Sequence, residues 1–196
     1  IFVGVIIDEN ISWKSHIYNI SRGIGILKKA RKYLNRNVLC NLYYTFLYPY
    51  FTYCIHVWGN ACQSYISKLV KLQKRAIRII TFSRYNSHTA ILFQTLRILN
   101  LSNIARYVVI QFMYRFKGST LPCIFSDMFT YNRDVHDHHT RSSSKFHPPC
   151  VKTERSKKSI RYHGAVLWNE LCDHIKESTA PHSIKLNIKK YLLSCQ

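Results

Sequence analysis

The chain has 196 residues, of which 47% are hydrophobic and 14% aromatic, and this composition excludes a wholly disordered protein because enough apolar surface is present to form a core. Its 29 Lys and Arg stand against only 9 Asp and Glu, which gives a formal net charge of +20. Between Asn10 and Ser126 there are 17 Lys and Arg and no acidic residue, so we expect a polyanionic partner, nucleic acid first and an anionic membrane second.

One strand and two helices are predicted at the start of the chain. The β-branched run from Phe2 to Ile7 predicts a strand that ends at a polar turn. Ser12 is predicted to cap a long amphipathic helix. Asn37 is predicted to cap a second, nearly all-apolar helix over 38–48, which Pro49 should kink or end. The apolar seam of the first helix consists of Trp13, Ile17, Ile20, Ile24, Leu27 and Leu34.

A third helix, from about Ser64 to Thr81, has the clearest two-sided pattern in the chain. Its apolar side consists of Ile66, Leu69, Val70, Ala76, Ile77 and Ile80. Its basic side consists of Lys68, Lys71, Lys74, Arg75 and Arg78. We interpret the basic side as a clamp that contacts backbone phosphates of a duplex without reading bases. A solvated outer face is the alternative interpretation of the same charges.

A second basic cluster lies near the end of the first predicted helix and consists of Lys28, Lys29, Arg31 and Lys32. Cations at this position also interact favourably with the C-terminal end of the helix dipole, so the cluster can be explained with or without a ligand. If both clusters contact phosphates, the logarithm of affinity should fall with that of salt concentration by about 0.9 per phosphate neutralised.

Shorter helical patterns follow at about 89–96 and from Ser102, as its cap, to Phe116. Residues 118–158 are rich in Ser, His and Pro, so we expect a partly extended or mobile connection. Helices return at about 160–171 and 183–193. The expected fold is mainly α: a short N-terminal strand (1–10), a helical bundle (11–117), the connection (118–158) and a less ordered C-terminal extension with a small helical segment (159–196).

Other chemistry is weakly supported. We expect the aromatic residues between 43 and 53 to pack in the core rather than to stack on bases, and we expect the same of Trp58 and Trp168. The residues between 43 and 53 are Tyr43, Tyr44, Phe46, Tyr48, Tyr50, Phe51 and Tyr53. The His and Cys residues of the last third do not form the closely spaced ligand pairs of a zinc site, so no metal is expected. They are His136, His138, His139, His147, Cys150, Cys172 and His174. Seven Cys without a Cys-x-x-Cys pair indicate free thiols. The charge-free stretch 37–67 contains Pro49, several Tyr and several Asn, so we expect a core helix and no membrane partner.

Four blocks resemble the C-terminal part of a LINE-type non-LTR retrotransposon reverse transcriptase of the jockey-like group: FVGVIIDENISWKSHI, LYPYFTYCIHVWGN, LVKLQKRAIRII and IRYHGAVLWNEL. The resemblance implies the strand that enters the thumb, the helical thumb and a C-terminal extension, located after the catalytic palm. It implies as partners a template-primer duplex of RNA and DNA and the palm of the full-length polyprotein. An intracellular protein, nuclear and cytoplasmic and not secreted, is expected. One departure is Cys172, where a Pro commonly follows the last block.

The palm's catalytic carboxylates are missing from this sequence. Polymerisation needs carboxylates that hold two Mg²⁺ ions, and no Tyr-x-Asp-Asp hairpin occurs here. We therefore expect no cofactor in this chain, no catalytic residue and no polymerisation by the chain alone; Mg²⁺ is implied for the missing palm. The other possibilities are a free-standing or captured nucleic-acid-binding module and a non-functional retrotransposon remnant. No nucleotide-binding loop or hydrolase motif is present.

Overall fold

The computed structural model describes residues 13–59, 63–135, 141–176 and 181–195, and the fold over these ranges is mainly α-helical, as predicted. The chain divides into two compact units: residues 1–105 together with 192–196, and residues 106–191. The predicted N-terminal strand and the Ser12 cap lie outside the described residues. The predicted domain limits stay a prediction, because compactness alone does not show which segments fold autonomously.

The first unit is built from helices and one π-helical segment. In order they are α1 (Lys14–Ala30), α2 (Arg36–Leu42), the π-helical segment (Tyr43–Leu47), α3 (Tyr48–Thr52), α4 (Ile55–Trp58), α5 (Gln63–Ile80), α6 (Ala90–Leu96) and the start of α7 (Leu101–Lys117). Helix α1 packs against α5, α2 and the π-helical segment. The predicted seam of α1 is largely buried, with Ile20, Ile24 and Leu27 at most 2% exposed. The predicted seam of α1 is therefore confirmed at four of its six positions, with Trp13 also buried, whereas Ile17 and Leu34 are half-buried.

The start of α2 differs from the prediction. Asn35, not Asn37, is the N-cap: its side-chain oxygen accepts a hydrogen bond of 3.0 Å from the Val38 backbone N–H. Asn37 lies inside the first turn and is exposed. Two Asn residues flank Arg36, and either could cap a helix, so local sequence alone does not separate them.

The regular α-helical geometry is lost near Pro49, as predicted, but the irregular segment lies about one turn before the proline. The π-helical segment ends in a wide turn in which the Tyr48 N–H donates to the Tyr43 carbonyl, and Pro49 lies in the first turn of α3. A proline has no N–H for the carbonyl four residues earlier and would collide with it in an α-helix. A π-helical turn is one way to accommodate that change of register.

Helix α7 also begins differently. The Asn100 side-chain oxygen accepts a 2.9 Å hydrogen bond from the Asn103 N–H, so Asn100 performs the capping that we had assigned to Ser102. The Asn103 side chain, 4% exposed, donates in turn to the Leu192 carbonyl at 2.9 Å. This bond ties the last residues of the chain into the first unit.

The second unit contains the rest of α7 and several short elements. They are a 3₁₀ turn (Cys123–Phe125), β1 (Thr130–Tyr131), α8 (Asn132–Val135), β2 (Phe146–His147), α9 (Glu154–Lys157), α10 (Ile160–Glu170), α11 (Asp173–Lys176) and most of α12 (Pro181–Ser194). Strands β1 and β2 pair antiparallel, with Thr130 opposite His147 and Tyr131 opposite Phe146. The connection expected over 118–158 is therefore more ordered than predicted in its described part.

The core of the second unit explains why the block IRYHGAVLWNEL has its small, aromatic and amide residues. Trp168 is 5% exposed, and a Cβ on Gly164 would lie only 2.9 Å from the Met113 sulfur, so glycine permits close packing there. The Asn169 amide donates to the Phe146 carbonyl at 2.8 Å and accepts from the Phe146 N–H at 3.1 Å. These bonds attach α10 to β2 in the way a neighbouring strand would.

No helix in the described ranges is both long enough and apolar enough to cross a bilayer. The cysteines that the structure describes are unpaired thiols, and all of them except Cys40 are exposed. Cys62 lies outside the described residues.

Candidate nucleic-acid interface

Helices α1 and α5 run side by side in the same direction. Near their starts, Lys14 of α1 and Lys68 of α5 line one groove. Near their ends, the Arg31 guanidinium carbon lies 5.0 Å from the centre of the Phe82 ring, and Phe82 follows α5 by two residues. The two basic helices predicted separately from the sequence are therefore neighbours in the fold.

The groove between the two helices has a volume of about 550 Å³ and is rich in cations. Its lining consists of Lys14, Ile17, Tyr18 and Ser21 from α1, and of Tyr65, Lys68, Lys71, Leu72 and Arg75 from α5. Four of these residues are Lys or Arg, and neither helix contains an acidic residue. The ion pairs that the structure describes all lie beyond Ser126. The potential in the groove is therefore positive, with no carboxylate of either helix to offset it.

Helix α5 is held in place by a buried polar residue on its inner side. Gln73 is 1% exposed, and its amide nitrogen donates to the Tyr43 hydroxyl at 3.1 Å and to the Leu99 carbonyl at 2.9 Å. Burial raises the pKa of the Tyr43 phenol far above its ordinary value of 10, although the Gln73 hydrogen bond opposes the shift. The phenol therefore stays neutral, and the network joins α5 to the π-helical segment and to the loop before α7.

The five basic residues predicted on α5 differ in exposure and in the groups that they contact. Lys68, Lys71 and Arg75 are exposed and line the groove. Lys74 is exposed but lies about 120° around the helix axis from Lys68, away from the groove lining. Arg78 is half-buried, and its Nε donates to the Ser87 carbonyl at 2.9 Å. Arg78 thus holds the turn after α5, which reduces its freedom to contact a ligand.

The cluster at the end of α1 is also divided. Lys28, Lys29 and Lys32 are exposed, whereas Arg31 is half-buried over the Phe82 ring. Lys28 and Lys29 lie in the last turn of α1, where the helix dipole favours cations. Whether any of the nine predicted basic residues binds nucleic acid stays a prediction.

Lys14, Tyr18 and Tyr65 were missed by the sequence reasoning, although they line the groove. A signal for the first two exists in the sequence. Lys14, Tyr18, Ser21, Gly25 and Lys28 recur at steps of four and three, which places them within about 40° of Lys14 on one face of α1. Attention to the outward face of α1, rather than to its apolar seam, would have found this stripe.

The aromatic residues predicted to be core are only partly so. Tyr43 and Phe51 are fully buried and Trp58 is 1% exposed, but Phe46 is 59% exposed and Tyr44 is 38% exposed.

The described ranges bring together no group of three or more residues that could hold a metal ion. His147 instead pairs with the Asn132 side chain at 3.0 Å. His136, His138 and His139 lie outside the described residues, so the expectation of no metal stays a prediction.

A comparison with known proteins relates the chain to a polymerase of a mobile element. It is 25% identical over 87 residues to the probable RNA-directed DNA polymerase from transposon X-element of Drosophila melanogaster. The match covers 41% of this chain and 10% of that protein. No family model and no solved structure matches the chain. The similarity supports a relationship to retrotransposon reverse transcriptases, and the chain spans only a small part of such a protein.

Proposed function

We propose that this chain is the thumb and C-terminal extension of a jockey-like LINE reverse transcriptase, and that it grips the template-primer duplex through α1 and α5. The observation that carries the proposal is the cationic groove, in which Lys14, Lys68, Lys71 and Arg75 converge from two helices without an acidic neighbour on either. Such a surface suits a polyphosphate, because clustered cations gain free energy by displacing condensed counterions.

The dimensions of the surface fit a duplex. Helix α1 has 17 residues and is therefore about 25 Å long. A DNA duplex rises 3.4 Å per base pair and an A-like RNA–DNA hybrid somewhat less, so a helix of this length can follow at least about seven base pairs. Lys28 at the far end of the outward stripe of α1 would extend the contact beyond the groove.

The expected role is positioning rather than chemistry. Lys14, Lys68 and Lys71 would contact phosphates as point charges, and Arg75 could bind one phosphate through two N–H groups. Holding the duplex fixes the primer end relative to the palm of the full-length polyprotein, whose carboxylates would hold the Mg²⁺ ions that activate the primer. The described residues of this chain contribute binding and orientation only.

The test is the salt dependence of binding to an RNA–DNA hybrid duplex, measured by fluorescence anisotropy. Changing Lys14, Lys68, Lys71 and Arg75 together to Gln should reduce the slope of log affinity against log salt by up to about 3.6, since each phosphate contact contributes about 0.9. Circular dichroism should show an unchanged helix content, because these side chains are exposed.

Two single variants on α5 provide controls within the same helix. Lys74→Gln removes the same charge outside the groove and should change the slope by less than Lys71→Gln does. Arg78→Gln should also have a small effect on the slope, because its Nε already bonds Ser87. Equal slopes for the fourfold variant and the unmodified protein would contradict the proposal.

A further inference from the structure

Two tyrosines line the cationic groove, one from each helix. Tyr18 of α1 is 64% exposed, and Tyr65 of α5 is half-buried. Each ring has a cation close to it: the Arg22 guanidinium carbon is 5.9 Å from the Tyr18 ring centre, and the Lys68 ammonium is 5.8 Å from that of Tyr65. Tyr18 is one of several exposed aromatic side chains, and it differs from Tyr33 in lining a cationic groove together with a second tyrosine from the other helix.

We infer that this groove binds an unpaired segment of nucleic acid, with bases stacked on Tyr18 and Tyr65 and phosphates held by the surrounding cations. The inference deepens the proposed function, on which it rests, by naming the strand state that the groove accepts. The groove cations would contact backbone phosphates at the junction where the hybrid duplex continues into an unpaired template or primer end, and the bases of that end would enter the groove between them.

The lining of the groove favours bases over phosphates alone. Between the cations lie the apolar side chains of Ile17 and Leu72. Both side chains are half-buried, so the groove has some apolar surface that helix packing leaves uncovered, and the face of a base can cover it whereas a phosphate cannot. Surfaces for single strands combine aromatic rings with a positively charged path for the backbone, and both are present here.

The strand must be unpaired because of where base faces are accessible. Within a duplex, each base is stacked between its neighbours, so only the end base pairs have a face available to a tyrosine ring. In a single strand the faces are free, and stacking on a ring depends little on sequence. In each case the cation lies over one face of the ring, so a base would stack on the opposite face.

The experiment compares three hybrid duplexes by fluorescence anisotropy at one salt concentration. The first is blunt, the second carries a single-stranded extension of about four nucleotides, and the third carries the same extension without bases. The second and third have equal charge, so any difference between them reports stacking. The extension is made once as RNA and once as DNA, since either strand could supply it.

The extension with bases should bind at least about fivefold more tightly than the abasic one. Tyr18→Leu and Tyr65→Leu should each reduce that difference, and by a larger factor than they reduce binding to the blunt duplex. Tyr33→Leu is the matched control, because Tyr33 is 84% exposed and follows α1 but does not line the groove.

The two proposals fail in distinguishable ways. Equal binding of the abasic and base-bearing extensions in both the RNA and the DNA series would overturn the stacking site, even if the blunt duplex binds well. A base-dependent difference that survives in both tyrosine variants would overturn the assignment to this groove. Failure to bind the blunt duplex would count against the duplex grip alone.

Discussion

The anchor of α5 allows a quantitative prediction for Gln73→Met. Methionine has a similar length and flexibility to glutamine, so it should fill the same space with little change in packing. The change removes one nitrogen that donates to both the Tyr43 hydroxyl and the Leu99 carbonyl. All three residues are at most 3% exposed, so water cannot replace the lost donor.

The expected loss follows from two hydrogen bonds and the groups that they leave behind. Each bond contributes about 1 kcal/mol, and each buried group left without a partner costs about 1–3 kcal/mol. Removing the glutamine amide itself recovers part of its desolvation free energy. We therefore expect the free energy of unfolding to fall by about 2–4 kcal/mol, a large fraction of the stability of a typical domain.

Urea unfolding followed by circular dichroism measures the loss, and a double-mutant cycle with Tyr43→Phe assigns it. The phenylalanine removes the Tyr43 hydroxyl, which is one of the two groups that Gln73→Met leaves without a partner. The double variant should therefore lose about 1 kcal/mol less than the sum of the losses in the two single variants. The reasoning would be refuted if Gln73→Met lay within about 0.5 kcal/mol of the unmodified protein, or if the two changes were additive.

Two further predictions concern α1 and acid stability. Gly25→Ala should raise the free energy of unfolding by about 0.5–1 kcal/mol, since a Cβ there meets nothing within 4 Å. Gly23→Ala should raise it by less, because its Cβ would lie 2.7 Å from a Leu47 methyl. Equal gains for the two variants in thermal unfolding would contradict this prediction. Burial lowers the pKa of His16, and burial together with Arg106 lowers that of His163, from the ordinary 6.5. Below pH 6.5 the unfolded chain therefore takes up protons that the folded chain does not, and stability should fall on acidification from pH 7.5 to 5.5. His16→Phe should make the urea midpoint less dependent on pH, and an unaltered dependence would argue against His16 as a source.

The acid effect has a clear structural origin at His16. The residue is fully buried, its Nε2 lies 3.1 Å from the Tyr50 carbonyl, and its Nδ1 has no hydrogen-bond partner. A neutral ring that donates from Nε2 leaves Nδ1 as a bare acceptor, which costs some free energy. Protonation of Nδ1 would place an unpaired charge in the core, which costs far more.

Local pattern predicted the long helices well because each one buries a single face. The seam of α1 and the two sides of α5 are visible as repeats of three and four residues. Most of the apolar positions are buried and most of the basic ones are exposed, the half-buried exceptions being Ile17, Leu34, Ile66, Val70 and Arg78. Caps were predicted less well. Asn35 and Asn100 took the roles assigned to Asn37 and Ser102, because neighbouring polar residues compete and the packed helix end selects one.

The second unit shows where periodicity gives no information. Phe129 is 7% exposed and Phe146 is 1% exposed, and their rings lie 5.8 Å apart, centre to centre. They come from a segment rich in Ser, His and Pro, and they are 17 residues apart in sequence. Contacts of that kind leave no repeat in the sequence, so a packed hairpin was taken for a connection.

The sequence by itself determined that the chain is mainly helical, that the stretch from Asn10 to Ser126 carries cations without acids, and which side of α5 is charged. These properties are local, since they follow from residue type and from the pitch of one helix. Only the tertiary structure decided that α1 and α5 lie in parallel, that Lys14 joins Lys68 across a groove, and that Arg78 is bonded to Ser87. Neighbouring helices are chosen by the fit of buried side chains far apart in sequence, and such fits are a property of the folded chain.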